Sequence, residues 1–282
     1  MNTAIIYLYK EGEYTKKNLQ FFLDHGITDD NDFYILVNNH ECSVNIPHAD
    51  NIKVIKKDDQ LDFPSYWWLL NNEDLEQYDN LIFLNASCIG PFLPRYCNNN
   101  WIYYIEQILR NYDFIGPVIE FPASEDNISV KWFNGETIPF IHTYMFAMNK
   151  SCFPVFIQSL NDLKTKYPGC TEKTSCIILE RELANLFIQK GLKIYSFLLI
   201  CDSADINDRT NWHSDLWHES KNITCFEVPK NYHGIDLNPL EIMFIKNIRN
   251  EHEHRGKDRS GISNELKTTL YNYTNWMNGR TI

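Results

Sequence analysis

Residues 79–94 read DNLIFLNASCIGPFLP, and they indicate the fold class more strongly than any other stretch of the chain. The apolar run ends abruptly in Asn85 and Ser87, and a Gly-Pro pair follows, which is the pattern of a buried strand that ends in a turn. Because α/β sheets bind ligands at the carboxyl ends of their strands, Asn85 and Ser87 are predicted to line a cleft. A core strand followed by an ordinary turn would explain the apolar residues equally well.

Strand and helix patterns alternate on both sides of this stretch. Ala4–Tyr9 and Phe33–Val37 are continuous apolar runs, typical of strands that helices cover on both faces. Leu19, Phe22 and Leu23 have helical spacing, and a glycine follows where the helix would end. The other predicted strands are Ile52–Ile55, Leu81–Leu84, Phe114–Ile119 and His142–Met148, and the other predicted helices are Tyr66–Leu70, Trp101–Arg110, Cys152–Leu163 and Ser263–Met277. This alternation predicts an α/β fold with a Rossmann-like, mostly parallel central sheet flanked by helices.

Length and composition favour one globular domain. The chain has 282 residues, of which 44% are hydrophobic and 14% aromatic, enough to form a core without disulfides or metals. We expect a domain over residues 1–250, followed by a polar loop and a C-terminal helix over residues 251–282. The stretches 123–135 and 251–258 lack apolar periodicity and are predicted to be loops.

Charge and cysteine content exclude several classes of protein. A formal charge of −11 argues against partners such as nucleic acid or an anionic membrane, which require clustered Lys and Arg. The eight cysteines have irregular spacing and no C-x-x-C pair, so reduced thiols are expected rather than a zinc site. The sequence also lacks a run of about 18 apolar residues and a cationic leader before its first apolar run. A cytoplasmic protein without a membrane span is therefore expected.

Four phrases of the sequence occur in the same order as in one family. They are NLQFFLDHG at residues 18–26, LDFPSYW at residues 61–67, the FLNASCIGPFLP part of the opening stretch, and PLEIMFIK at residues 239–246. On these phrases the chain resembles the GT-A-like glycosyltransferases of polysaccharide and glycan assembly, related to rhamnan-synthesis proteins, whose members also occur in large DNA viruses. The resemblance covers roughly residues 4–249. Pro64 stands where the family has Gly, so a close approach of backbone to ligand is not implied there.

The resemblance implies a GT-A-like fold and an enzyme that transfers a sugar from a nucleotide-sugar, with a UDP-sugar as the expected donor, to a glycan acceptor hydroxyl. Such enzymes carry an Asp-x-Asp motif where this chain has Asn85 and Ser87. A catalytically inactive GT-A-like domain that binds nucleotide or glycan is therefore the alternative. A nucleotidyltransferase is disfavoured because no Gly-rich loop bearing Lys or Arg follows the first strand.

Three residues at predicted strand ends are candidates for nucleotide binding. Tyr9, Asn38 and Asp62 follow the first, second and third strands, whose carboxyl ends meet at one edge of a parallel sheet. Tyr9 is expected to stack on a uracil, Asn38 to bond its edge, and Asp62 to hold the ribose or the base. Asp62 is equally well explained as an N-cap of the helix that begins near Phe63 or Pro64.

The same edge of the sheet would bind the donor diphosphate. Asn85 and Ser87 are one residue apart and point to the same face of an extended chain. Their neutral oxygens are weaker ligands for Mn²⁺ or Mg²⁺ than carboxylates, so a metal is either weakly held or replaced by His and Lys. His233 is the candidate C-terminal ligand, although a histidine in a surface loop would look the same.

A candidate general base follows from the spacing of Glu180, Glu182 and Gly191. In many inverting GT-A enzymes a helix opens with an acidic residue, carries a Glu two positions later and ends at a Gly eleven positions after the first acid. The resemblance thus implies Glu180 as the base, with Glu182 second. The alternative is a solvated pair of glutamates in a first helical turn, stabilised by the helix dipole.

Tryptophan and histidine side chains predict the acceptor site. His142 opens a predicted strand on the acceptor side, and Trp212 and His213 lie with Trp217 and His218 in a polar, loop-like segment. Flat rings with polar neighbours suit the apolar face and the hydroxyl rim of a sugar. Packing of a long loop onto the core is the alternative.

Overall fold

The computed structural model describes residues 1–58, 61–120, 131–134, 138–198, 205–213, 237–247 and 264–277. Within these ranges, a central sheet of seven strands has the order β10-β6-β9-β4-β1-β2-β3. Its strands are β1 (Thr3–Lys10), β2 (Asp32–Asn38), β3 (Ile52–Lys57), β4 (Asn80–Asn85), β6 (Phe114–Gly116), β9 (Met145–Asn149) and β10 (Ile194–Ser196). Two small antiparallel pairs join β5 (Cys88–Ile89) to β11 (Ile245–Lys246) and β7 (Ile119–Glu120) to β8 (Phe140–Ile141).

In the described ranges the helices lie between strands along the chain, except the last helix, which follows β11. They are α1 (Glu13–His25), α2 (Asp62–Asn72), α3 (Trp101–Leu109), α4 (Phe153–Asn161), α5 (Leu163–Lys166), α6 (Glu172–Gln189), α7 (Pro239–Ile242) and α8 (Asn264–Met277). Of the helices in the described ranges, none combines the length and the apolar character that crossing a bilayer requires.

The sheet is parallel except for one strand. β1 pairs in parallel with β2 and β4, β2 with β3, and β6 with β10, whereas β9 is antiparallel to both of its neighbours. β1, β2, β3 and β4 therefore end at the same edge, and β9 begins there. We call this the carboxyl edge.

The core lies on both faces of the two central strands. Leu81–Leu84 in β4 and Ala4–Ile6 in β1 have no exposed surface. The rings of Phe83 and Phe146 stack at 4.6 Å between β4 and β9. Since burying one such side chain contributes about 1.5 to 3 kcal/mol, continuous apolar strands at the centre of the sheet stabilise the whole fold.

The predicted α/β class, with a mostly parallel sheet flanked by helices, is confirmed. Two predicted strands were wrong in their bounds. Phe114–Ile119 is divided into β6 and β7 at Pro117 and Val118, because proline has no N–H for a sheet ladder. His142–Met148 begins at Met145, since residues 142–144 form a turn between β8 and β9. The terminal helix is confirmed as α8, while residues 123–130, 135 and 251–258 of the predicted loops lie outside the described ranges.

Candidate active site

A pair of polar side chains meets at the carboxyl edge. Asn85 is the last residue of β4, and Asp62 is the first residue of α2, the helix that follows β3. The Nδ2 of Asn85 donates to the Oδ2 of Asp62 at 2.7 Å. The backbone N–H of Asn85 donates to the carbonyl of Tyr144 at 3.0 Å, which joins the end of β4 to the turn before β9. Two residues predicted at this edge are thus in direct contact.

Glu180 reaches the same edge from α6. Its Oε1 accepts two hydrogen bonds of 2.8 Å, one from the backbone N–H of Thr143 and one from the Thr143 hydroxyl. Thr143 directly precedes Tyr144, so a single turn positions both Asn85 and Glu180. Two hydrogen bonds to one carboxylate oxygen fix the orientation of the side chain, which a general base requires.

The pKa of Asp62 reflects this environment. Burial raises it to about 6, the hydrogen bond from Asn85 lowers it in part, and the negative charge of Glu180 raises it further. The positive charges of Lys246 and Lys10 act in the lowering direction. A carboxyl group whose pKa is raised by burial and by a second carboxylate is a common feature of catalytic and binding sites.

The charges of two lysines therefore act on Asp62, and a buried amide network places one of these lysines. Asn18 in α1 donates to the carbonyls of Ala86 at 2.8 Å and Asn247 at 3.1 Å, and its own side-chain oxygen accepts from Nδ2 of Asn247 at 2.7 Å. The N–H of Asn247 donates to the carbonyl of Ser87 at 2.6 Å. Lys246, next to Asn247, is in this way held beside the residues that follow β4.

The two residues expected to bind a metal after β4 are hydrogen-bonded to each other. The Oδ1 of Asn85 accepts from the N–H of Ser87 at 3.0 Å and also from the Ser87 hydroxyl, so that oxygen closes a local turn. In the described part of the chain, no group of three or more His, Cys, Asp or Glu side chains has an arrangement suited to a metal. His233 lies outside the described residues. Asn85 and Ser87 thus form a turn that orients Asp62, and their role as metal ligands stays a prediction.

The two residues expected to bind the nucleotide base are buried. The ring of Tyr9 has no exposed surface, and its hydroxyl donates to Glu11 at 2.8 Å. It offers no face to a base, so stacking by Tyr9 is corrected. Asn38 is 1% exposed and its Oδ1 accepts from the Ser65 hydroxyl at 3.1 Å. Its Nδ2 is buried without a hydrogen-bond partner among the described residues.

Glu182 does not join the site. It lies about 200° around the helix from Glu180, because the two glutamates are two positions apart in the sequence. Its carboxylate accepts a hydrogen bond from the Tyr167 hydroxyl and forms an ion pair with Lys166 at 2.7 Å, which fastens α5 to α6. The assignment of Glu182 as a second candidate base is therefore corrected.

The expected start of this helix was also wrong. α6 has 18 residues and begins at Glu172 after Thr171, whose side chain accepts from the N–H of Thr174, so Glu180 lies in its middle. A first-turn interaction of Glu180 with the helix dipole is thereby excluded. The expected glycine, Gly191, does follow the end of the helix. Its φ of 76° is a backbone conformation that favours glycine.

The residues expected to bind the acceptor are not brought together. Trp212 is 3% exposed and its Nε1 donates to the carbonyl of Ile206 at 2.8 Å. Its segment is tied through Asn207 to Ile194, the first residue of β10, and so lies at the opposite edge of the sheet. Trp212 is a packed loop residue rather than a sugar platform, which corrects that assignment.

One of the two histidines expected at the acceptor site lies near the candidate active site. His142 is buried, and its Nε2 lies 2.9 Å from the Oε2 of Glu120, beside the turn that holds Glu180. For His213 only the backbone, at the end of a 3₁₀ turn, is described. Trp217 and His218 lie outside the described residues.

Sequence reasoning missed five residues of the site. They are Lys10, Asn18, Thr143, Lys246 and Asn247. Lys10 ends β1, directly after Tyr9, so the rule that placed Tyr9 at the edge would also have placed this lysine. Asn18 and Lys246 stand in two of the phrases that carry the resemblance. Thr143 and Asn247 have no local signal, because their roles depend on contacts between distant parts of the chain.

Comparisons with known proteins give structural matches of low similarity. No family model matches the chain, and no curated protein matches it. The apo form of the glycosyltransferase GlyE of Streptococcus pneumoniae is 12% identical, with a TM-score of 0.47, over 97% of this chain and 60% of that chain. A glycosyltransferase involved in the glycosylation of the major capsid of PBCV-1 is 10% identical, with a TM-score of 0.40, over 71% of this chain and 84% of that one.

A third match is named for a different reaction. The 4-diphosphocytidyl-2C-methyl-D-erythritol synthase of Anaerococcus prevotii is 9% identical, with a TM-score of 0.37, over 77% of this chain and 95% of that chain. The chain spans about 60% of the length of GlyE. At these low identities and TM-scores the matches do not assign a function to the chain.

Proposed function

We propose that this chain is a glycosyltransferase that moves a sugar from a nucleotide-sugar, with UDP as the nucleotide, to a hydroxyl of a glycan acceptor. The observation that carries the proposal is the arrangement at the carboxyl edge. A carboxylate oriented by two hydrogen bonds, Glu180, lies near a carboxyl of raised pKa, Asp62, on which the positive charges of Lys10 and Lys246 also act. This combination supplies a base and a cationic surface for a leaving diphosphate.

The nucleotide binds at the ends of β2 and β3 in this proposal. Asp62 holds the ribose or the base, because a carboxyl with a pKa of about 6 is mostly ionised at neutral pH and accepts hydrogen bonds. The buried Nδ2 of Asn38 has no partner among the described residues, and a buried donor without a partner costs about 1 to 3 kcal/mol. A carbonyl oxygen of a pyrimidine base would satisfy that donor once the side chains that bury it move aside.

The leaving group is neutralised by lysine in this proposal. As the bond between the anomeric carbon and the diphosphate oxygen breaks, negative charge grows on the diphosphate, and the ammonium groups of Lys10 and Lys246 stabilise it. Because the oxygen of Asn85 is engaged by Ser87, no step is assigned to a metal ion. We therefore expect EDTA to reduce transfer by less than about tenfold. A loss of all turnover in EDTA that Mn²⁺ restores would contradict this.

Glu180 acts as the general base, and the reaction inverts the anomeric configuration. The acceptor hydroxyl attacks the anomeric carbon from the face opposite the diphosphate and gives its proton to the carboxylate of Glu180. Thr143 holds Oε1, and in the described structure Oε2 has no hydrogen-bond partner, so Oε2 is the atom that accepts the proton. The new glycosidic bond forms as the diphosphate leaves.

An inactive domain of the same fold that binds nucleotide or glycan is the second candidate. The observation that favours it is the turn formed by Asn85 and Ser87 in place of carboxylates that would hold a metal. The inactive domain would bind nucleotide or glycan without turnover, and only the transferase predicts release of free UDP from a UDP-sugar.

The test measures donor binding and donor hydrolysis in the absence of an acceptor. Thermal shift with UDP and a panel of UDP-sugars should show stabilisation of about 2.7 kcal/mol at 100 times the Kd. Slow release of UDP from one of the sugars identifies the donor and separates the enzyme from the inactive domain. The proposal fails if no nucleotide or nucleotide-sugar stabilises the protein, or if a bound nucleotide lies at the opposite edge of the sheet.

A further inference from the structure

A groove of about 590 Å³ opens on the surface beside the candidate active site. Its walls are Lys57 at the end of β3, Pro64, Trp67 and Trp68 in α2, Asn161 at the end of α4, and Glu172 at the start of α6. We call this the tryptophan groove. Its volume is within the range of about 300 to 1,000 Å³ that is usual for sites of small ligands.

An exposed indole forms the platform of the groove. Trp67 is 41% exposed, which is unusual for so large an apolar side chain. Its Nε1 donates to Oδ1 of Asn161 at 2.7 Å, and this bond fixes the orientation of the ring. The neighbouring Trp68 is covered differently, because the ammonium of Lys57 lies 4.0 Å from its ring centroid. One fixed, accessible ring face is thus available to a ligand.

The polar groups around this ring indicate the chemistry of the ligand. Glu172 and Asn161 present a carboxylate and an amide, and Lys57 presents an ammonium that already lies over an aromatic ring. In a chain with a formal charge of −11, this rim does not suit a phosphate or a polyanion. It does suit hydroxyl groups, which hydrogen-bond to each of these side chains. A flat apolar face with a rim of hydroxyls is the shape of a neutral saccharide ring.

The groove shares two helices with the candidate active site. Trp67 is five residues after Asp62 in α2, about 7.5 Å along the helix, and Glu172 is eight residues before Glu180 in α6, about 12 Å. The groove and the candidate active site are thus built on the same two helices. The groove is also far from Trp212, which lies at the opposite edge of the sheet.

We propose that the tryptophan groove is the acceptor subsite and that it binds a neutral oligosaccharide by stacking one ring on Trp67. This rests on the proposed glycosyltransferase function, since it assigns the acceptor of that reaction. The oligosaccharide places its terminal hydroxyl at Glu180, while the next ring towards its other end covers the indole.

The experiment compares wild type, Trp67→Ala, Trp67→Phe and Tyr103→Ala on an array of immobilised neutral oligosaccharides and in acceptor-free hydrolysis of the UDP-sugar. Tyr103 is the matched control, because it is 40% exposed in α3, away from the groove. Trp67→Ala should weaken saccharide binding about tenfold, the effect of losing one apolar ring contact, and should leave UDP release unchanged. Trp67→Phe should retain most of the binding, and Tyr103→Ala all of it.

Two results would overturn the assignment of the groove. One is that the wild-type protein hydrolyses the UDP-sugar but binds no neutral saccharide, or that the Trp67→Ala variant binds saccharide as tightly as the wild type does. The other is equal loss of binding and of UDP release in Trp67→Ala and Trp67→Phe, which would mean that Trp67 acts through the fold. Saccharide binding that depends on Trp67 in a protein that hydrolyses no nucleotide-sugar would refute the transferase function and retain the saccharide site.

Discussion

Two acidic residues at the carboxyl edge have pKa values shifted in opposite directions. Glu11, just after β1, accepts hydrogen bonds from the Tyr9 hydroxyl at 2.8 Å and from the N–H and the hydroxyl of Ser43 at 2.9 and 2.8 Å, and it pairs with Lys16 at 2.8 Å. Partial burial opposes ionisation, but these contacts outweigh it and lower the pKa of Glu11 to about 2.

Asp62 has the reverse balance. Burial raises its pKa to about 6, Asn85 is its one hydrogen-bond donor within the described residues, and Glu180 adds a second negative charge nearby. The carboxyl edge therefore has a stabilising part around Glu11 and a destabilising part around Asp62 and Glu180. Carboxylates kept close together against their mutual repulsion reduce the stability of a fold, and such arrangements are usually retained where they serve binding or catalysis.

The largest effect is expected at Glu180. Glu180→Gln keeps the volume of the side chain and an oxygen for the donors of Thr143 but removes the base, so transfer should fall by on the order of 10²- to 10⁴-fold. Donor binding should be retained. Glu182→Gln is the matched control, because Glu182 lies on the same helix and pairs with Lys166 instead of facing the site.

The readouts are the rate of transfer and the thermal shift with UDP for both variants. Near-normal transfer by Glu180→Gln would refute its role as the base. It would also mean that the destabilising part of the edge serves binding alone.

Lys246 tests the cationic side of the same comparison. Lys246→Met removes a charge that acts on Asp62, and if the charge also neutralises the leaving diphosphate, turnover should fall by roughly 10²- to 10³-fold. Lys17→Met is the control, since Lys17 is an exposed lysine of α1 that pairs only within its helix, with Glu13. Equal rates for the two variants, measured as UDP release, would exclude Lys246 from the chemistry.

Much of the fold could be predicted from local patterns. β1, β2 and β4 differ from their predicted bounds by one residue at each end, because continuous apolar runs between polar residues define a buried parallel strand well. The meeting of Asp62 with Asn85 also followed from topology, since parallel strands present their carboxyl ends at one edge.

The remaining features depend on partners distant in sequence. Whether Trp212 is a platform or a packed ring depends on Ile206 and on the start of β10, which no local pattern reveals. The start of α6 did have a local signal, because Thr171 caps the N–H of Thr174, but the acidic spacing around Glu180 suggested a later start. The groove around Trp67 required α2, α4 and α6 to be placed together.

Asp62→Asn should stabilise the protein at neutral pH. The pKa of Asp62 is about 6 in the fold and about 3.9 when unfolded. Between these values the folded state holds the proton more tightly, so the free energy of unfolding falls as pH rises from about 4 to 6. Asparagine removes that penalty, and we expect roughly 1 to 3 kcal/mol of added stability at pH 7.5 and almost none at pH 4. Urea unfolding at the two pH values measures it, and a destabilised variant at pH 7.5 would contradict the raised pKa.

Glu11→Gln should give the smallest effect, with the opposite sign. The pKa of Glu11 is about 2 in the fold, below its unfolded value of about 4.3, so its contribution is complete above pH 4.3 and is lost as pH falls towards 2. Because 21% of the side chain and 46% of its partner Lys16 are exposed, solvent screens the pair, and the loss at pH 7.5 should be no more than about 1 kcal/mol. Urea unfolding of this variant beside Asp62→Asn completes the comparison: at pH 7.5 one substitution should lower the free energy of unfolding and the other should raise it. Two changes of the same sign would mean that the edge is not divided into a stabilising and a destabilising part.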